Sequence, residues 1–282
     1  MRLIPFLPLL GFLASACVTT GPTPIITITP SPREAALRPV TAAPTALAPT
    51  ISQAATAAPV VIQSANPEPR IEDGIRVEVA DGLEVVGTLY KPAQSGARLP
   101  GVLLLHMLGS DRTAWEEFAF RLALEGYVAL AVDMRGHGDT GGDRDFNKAA
   151  QDLLQVWEYF SKRPEIDGDS TAVVGASIGA NMALVTAAKK PAIDTVVLLS
   201  PGLVYREVST EDAIVEFGDR PLMIVAGEED TYSAQSSQKL KQLSAGEAKL
   251  RLYTGASHGT DLLTSQPELA GEIIAWLDSH MD

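Results

Sequence analysis

A serine flanked by glycines stands at Gly175-Ala176-Ser177-Ile178-Gly179, directly after the apolar run Ala172-Val173-Val174 and directly before a helix-forming stretch. The pattern reads as strand, sharp turn and helix. At such a corner the backbone is strained, and residues two before and two after the serine pass so close that side chains larger than glycine or alanine crowd it. A hydroxyl displayed there can attack an electrophilic carbon, but serine is a weak nucleophile near neutral pH and needs a base. The chain has four histidines, so the search for that base is short. His258 stands in Thr254-Gly255-Ala256-Ser257-His258-Gly259, just beyond the alternating segment Leu250-Arg251-Leu252-Tyr253. Imidazole has the matching pKa and needs a carboxylate on its second nitrogen to fix its tautomer and stabilise the cation. Gly227-Glu228-Glu229-Asp230, after the apolar Leu222 to Ala226, offers three such carboxylates, and Asp230 lies furthest from the strand end, where it can curl towards His258. His280 lies near the C-terminus and reads as solvated, His137 sits in a glycine-rich loop, and His106 ends a buried run and reads as structural.

Groups so far apart in sequence can meet only on a scaffold that brings several strand ends together. The continuous apolar runs Val102 to Leu105, Tyr127 to Val132, Thr171 to Ala176, Val196 to Leu199 and Leu222 to Ala226 read as strands covered on both faces. Helical spacing fills the intervals over Trp115 to Leu124, Lys148 to Ser161, Ile178 to Lys189, Gln235 to Leu243 and Glu268 to His280. Ahead of them, Ile75 to Val79 and Leu83 to Tyr90 are joined by Asp81-Gly82 and predict a hairpin at a sheet edge. The expected fold class is therefore α/β, a mostly parallel sheet with an antiparallel N-terminal hairpin and helices on both faces. Chemistry in such sheets gathers at the carboxyl ends of the strands, where Ser177, Asp230 and His258 all stand.

With these motifs the chain resembles the α/β-hydrolases, and within them the dienelactone-hydrolase-like and small serine esterase group, over Ile71 to Asp282. The resemblance rests on Gly175 to Gly179 as a nucleophile elbow, Gly227 to Asp230 as an acid loop, Ser257-His258-Gly259 as a base loop, and Asp133-Met134-Arg135-Gly136-His137-Gly138, which is similar to that group's D-x-R-G-x-G segment. It implies a serine hydrolase that cleaves carboxylic esters through an acyl-enzyme, with Ser177 as nucleophile, His258 as base and Asp230 as the acid that orients it. Asp133 is then left a structural role, anchoring the Arg135-Gly136 loop. One oxyanion donor is the backbone N–H of Ile178, at the positive end of its helix. The resemblance implies Leu108 for the second, with Met107 as the fallback. Two departures stand out: dienelactone hydrolases proper carry cysteine where this chain has Ser177, and Met107 follows His106 where the family has glycine. A cap in this fold follows the sixth strand, here Pro201 to Arg220, which is long enough only for a minimal flap. Leu203, Val204, Tyr205, Ile214, Val215 and Phe217 would form its apolar underside, leaving an open site suited to small or accessible acyl groups. A peptidase or thioesterase with the same triad, and a non-catalytic binding lipoprotein on this fold, are the other readings.

The remainder of the chain bounds the setting. Met1 to Cys17 carries a single basic residue, an apolar stretch and Leu13-Ala14-Ser15-Ala16-Cys17, which resembles the lipobox of a bacterial lipoprotein signal. Cys17 is the only cysteine, so no internal disulfide can form, and it is the expected lipidation site. Residues 18–70 hold ten of the nineteen prolines among Thr, Ala and Ser, and read as a disordered tether ahead of a hydrolase domain over 71–282. The expected location is extracytoplasmic and membrane-anchored, with a secreted or periplasmic soluble protein as the alternative. A net charge of −13 excludes nucleic acid as a partner. No metal-ligand spacing and no dinucleotide fingerprint is present, so no cofactor is expected; the partners are a small-molecule ester and the membrane, with no obligate protein partner evident.

Overall fold

The computed structural model describes residues 67–281. The signal segment, Cys17 and nearly all of the expected tether lie outside the described residues. The chain opens with the hairpin β1 (Arg70–Glu78) and β2 (Glu84–Lys91), whose turn is closed by the Gly82 N–H to the Val79 carbonyl at 2.8 Å. Strand β1 starts earlier than the alternating segment Ile75 to Val79 because its charged first half still pairs in register, Arg70 with Lys91 through Asp73 with Thr88. An exposed row of charges at a sheet edge discourages pairing with a second chain.

From there strands and helices alternate: β3 (Leu99–Leu105), α1 (Glu116–Leu124), β4 (Val128–Val132), α2 (Phe146–Ser161), β5 (Ile166–Ala176), α3 (Ile178–Lys189) and β6 (Thr195–Leu199). The segment expected to be a flap folds into a two-stranded hairpin, β7 (Val204–Tyr205) and β8 (Val208–Ser209), followed by α4 (Glu211–Phe217). The chain closes with β9 (Leu222–Gly227), α5 (Thr231–Leu243), β10 (Ala248–Tyr253), α6 (Asp261–Ser265) and α7 (Leu269–His280). The eight-stranded sheet has the order β1-β2-β4-β3-β5-β6-β9-β10. It is parallel from β4 to β10 and antiparallel at β1 and β2.

Two apolar layers explain the continuous runs. In β3, Leu103 and Leu105 pack with α2, α3 and α4, whereas Val102 and Leu104 pack with α1 and α7, and all four have no exposed surface. A strand sandwiched this way must be apolar at every position. The chain leaves β3 for β4 on one side and returns to β5 on the other. The carboxyl ends of β3 and β5 therefore form the switch point at which open α/β sheets bind ligands. The flap is narrower than expected on its apolar side. Ile214 and Phe217 are buried in α4, but Val204 and Val215 are 48% and 70% exposed. Consecutive helical residues lie about 100° apart around the axis, so Ile214 and Val215 cannot both face the core. Among the described residues no helix is long and apolar enough to cross a membrane.

Candidate active site

Ser177 joins β5 to α3 with φ 55° and ψ −119°, a left-handed conformation that few side chains tolerate. Its N–H donates to the Leu199 carbonyl at 2.8 Å, tying the corner to β6, and its carbonyl accepts from Ala180 and Asn181 to start the helix. The neighbouring glycines are set by contact. A Cβ at Gly175 would lie 2.1 Å from the Gly179 carbonyl oxygen, and one at Gly179 would lie 2.3 Å from the Leu105 oxygen. Even alanine has no room at either position, a tighter limit than the motif alone implied.

Asp230 and His258 come from the loops after β9 and β10. The two loops are bonded to each other: the Glu228 N–H donates to the Tyr253 carbonyl at 2.8 Å and the Glu229 N–H to that of Gly255 at 3.0 Å. Glu228 and Glu229 face solvent, whereas Asp230 turns inward at the start of α5. The three residues meet: His258 Nδ1 is 2.6 Å from Asp230 Oδ2, and His258 Nε2 is 2.7 Å from Ser177 Oγ. The side chain of Asp230 is 16% exposed and that of His258 36%, so the imidazole remains open to solvent. A further residue holds the base loop. Ser200, just past β6, is fully buried at φ 52°, and its Oγ accepts the Gly259 N–H at 2.9 Å. Nothing in the sequence marked Ser200 beyond its place as a polar residue at a strand end.

On the other side of the corner, the Ile178 N–H lies at the first turn of α3. The carbonyl of Met107 accepts from the Ser110 N–H at 3.2 Å and from His106 Nδ1 at 2.8 Å. That carbonyl belongs to the same trans peptide unit as the Leu108 N–H, so fixing one fixes the other in the opposite direction. The Met107 side chain is wedged against the base loop, with Sδ 3.8 Å from Thr260 Oγ1.

The remaining candidates are structural in their contacts. His106 has no exposed surface, and its Nε2 accepts the Met134 N–H at 3.0 Å, so the Nδ1 proton is the one given to Met107. Burial pushes the His106 pKa down to about 4, keeping the ring neutral. His137 packs edge-on against His106 and its Nδ1 lies 3.1 Å from the Arg135 carbonyl. Asp133 is fully buried, pairs with the Arg112 guanidinium, and accepts the Arg112 and Asp139 N–H groups at 2.7 and 2.8 Å. It thus closes the loop around Arg135, from Asp133 to Asp139, and ties it to the segment that follows β3. Arg135 itself bridges Asp152 and Asp81, which hold its guanidinium firmly protonated. His280 stacks on Trp276 at the far end of α7. Among the described residues no group of His, Cys, Asp and Glu side chains could hold a metal ion.

Residues 100–218 match a family model described as serine aminopeptidase, S33. An uncharacterised protein of Mycobacterium tuberculosis is 27% identical over 200 residues, covering 64% of this chain and 70% of that protein. Among solved structures, the dienelactone hydrolase of Anabaena variabilis superposes with a TM-score of 0.63 at 20% identity, over 77% of this chain and all of that one. A Pyrococcus furiosus esterase superposes with a TM-score of 0.62 at 20% identity, over 76% of this chain and 94% of the esterase. These likenesses are in the overall fold.

Proposed function

We propose that this chain is an α/β-hydrolase, a serine hydrolase acting on carboxylic esters through an acyl-enzyme at Ser177. The observation that supports this most directly is the unbroken line of hydrogen bonds from Ser177 Oγ through the His258 ring to Asp230. Ser177 Oγ attacks the ester carbonyl while its proton passes to His258 Nε2, and Asp230 stabilises the resulting imidazolium. The carbonyl oxygen becomes an oxyanion facing the N–H groups of Ile178 and Leu108, with Met107 the alternative second donor. The leaving alcohol takes the proton from Nε2, and water repeats the sequence on the acyl-enzyme. The short flap and the exposed imidazole edge fit small or accessible acyl groups. An activity-based fluorophosphonate should label the wild-type protein and not Ser177→Ala. Labelling that persists in the variant would exclude Ser177 as the nucleophile.

A peptidase is the second reading, favoured by the match to the serine aminopeptidase model. Acyl transfer to water is common to both, so amino-acyl nitroanilides run beside nitrophenyl esters separate them. On the N-terminal side we propose export and lipid attachment at Cys17, which would hold the domain on a membrane. Cells fed a labelled fatty acid should incorporate it into the full chain and not into Cys17→Ser; equal incorporation would exclude that site.

A further inference from the structure

One flap side chain stands beside the His258 ring. Tyr205 ends β7, and its ring lies edge-on to His258 with centroids 6.4 Å apart. The ring has little freedom to leave. It packs on the bare backbone of Gly202, where a Cβ would come within 2.8 Å of it, and edge-on against Tyr232 at 5.4 Å. The hairpin carrying it is clamped to α5, because Tyr232 Oη bonds both the Val204 N–H at 3.0 Å and the Val204 carbonyl at 2.9 Å. Its two-residue turn, Arg206-Glu207, holds φ values of 47° and 69°, the conformation that a tight hairpin demands but that glycine or asparagine usually supplies. The flap is thus a fixed wall with one polar group aimed inward. The Tyr205 hydroxyl lies 3.0 Å from Ser233 Oγ. Desolvation raises its pKa above the ordinary phenol value, so it is a proton-bearing donor at neutral pH.

The direction of approach says which reacting oxygen the phenol can serve. Ile178 and Leu108 take the carbonyl oxygen on the β3 side of the corner. Tyr205 comes from the β6 and β9 side, together with His258, and the oxygen that must lie beside His258 Nε2 to receive its proton is that of the departing alcohol. We propose that Tyr205 is a catalytic residue whose hydroxyl donates a hydrogen bond to the alkoxy oxygen of the ester as the bond to the leaving alcohol breaks. This rests on the serine-hydrolase reading. In the step, Ser177 Oγ bonds to the carbonyl carbon and its proton moves to His258 Nε2. The bond from that carbon to the alkoxy oxygen breaks, and the same proton passes from Nε2 to the alkoxide. Tyr205 keeps its own proton throughout and lowers the charge that the oxygen must carry.

Such help matters for a poor leaving group and little for a good one. For full-length Tyr205→Phe, which retains the ring and its packing, kcat/KM for phenyl acetate should fall roughly ten- to a hundredfold, while that for para-nitrophenyl acetate stays within about threefold. Ser233→Ala removes the phenol's other partner and should lower both rates by the same small factor. Equal losses on the two esters in Tyr205→Phe, no loss on either, or the Tyr205→Phe pattern reproduced by Ser233→Ala would each overturn the assignment and leave Tyr205 an anchor for the flap. If wild-type protein turned over neither ester and resisted fluorophosphonate, the serine-hydrolase reading would fail and this assignment with it.

Discussion

Gly175→Ala offers a test in which steric distances set the size of the effect. The added methyl would lie 2.1 Å from the Gly179 oxygen, 2.4 Å from its carbonyl carbon and 2.7 Å from the Ala180 nitrogen, all backbone atoms that cannot rotate away. Contacts of this kind do not fall below 3.0 Å, so the first turn of α3 must retreat from β5 by about 1 Å. Both Ser177 and the Ile178 N–H ride on that turn. A misplacement of about 1 Å at reacting groups costs on the order of a hundredfold in rate, whereas overpacking costs about 1–3 kcal/mol of stability, a few degrees of Tm in a domain of this size. The variant is therefore expected to remain folded and to lose about a hundredfold in kcat/KM for para-nitrophenyl acetate, measured well below its own Tm as followed by circular dichroism. Gly96→Ala is the control, since no heavy atom lies within 4 Å of its added methyl and its φ is ordinary. Activity within threefold of wild type in Gly175→Ala, or an equal loss in the Gly96 control, would refute the argument that this corner is rigidly coupled to the chemistry.

Two other expectations follow from the site and its supports. Asp230→Asn should keep the geometry but favour the wrong imidazole tautomer, lowering kcat by about 10⁴-fold, while Glu228→Gln and Glu229→Gln, both facing solvent, should change it less than twofold. A loss at Asp230 no larger than at the glutamates would reassign the acid. His106 is buried neutral, with its pKa lowered to about 4 against about 6.5 in an unfolded chain. Between those values the unfolded chain binds the extra proton, so the stability is fully present above pH 6.5 and up to about 3 kcal/mol of it is lost as pH falls towards 4. Urea titrations across that window should show a flatter pH dependence for His106→Gln than for wild type; parallel curves would contradict it.

The legible parts of this fold are those where burial leaves no choice. Strands β3, β4, β5, β6 and β9 are covered on both faces, so their runs stand out, and α3 has the bounds Ile178 and Lys189 that helical spacing implied. Where geometry depends on partners rather than on side-chain type, the reading fell short. The first residues of β1 are charged and pair nonetheless, and α5 begins at Thr231 because the chain turns at Asp230 rather than at the first apolar position. The flap hairpin was invisible because its turn is Arg206-Glu207, with none of the residues that announce a left-handed turn. The order of serine, carboxylate and histidine was readable at the strand ends, and among three adjacent carboxylates Asp230 stood out by its distance from the strand end and by the family resemblance; it is the one that lies 2.6 Å from His258 Nδ1. Tyr205 was read as one apolar residue among six, since its hydroxyl acquires meaning only from the α5 contacts that aim it.

The backbone at Ser177 also bears on how such a chain changes over generations. A non-glycine residue held at φ 55° costs about 1–3 kcal/mol, and glycine would relieve most of that cost while removing the hydroxyl. Mutational drift towards stability therefore pushes this position away from serine, and only a use for the hydroxyl pushes back. A protein kept merely as a scaffold would gain by losing Ser177. Under the proposed reaction, Ser177 at φ 55° is a position where selection for the hydroxyl works against selection for stability.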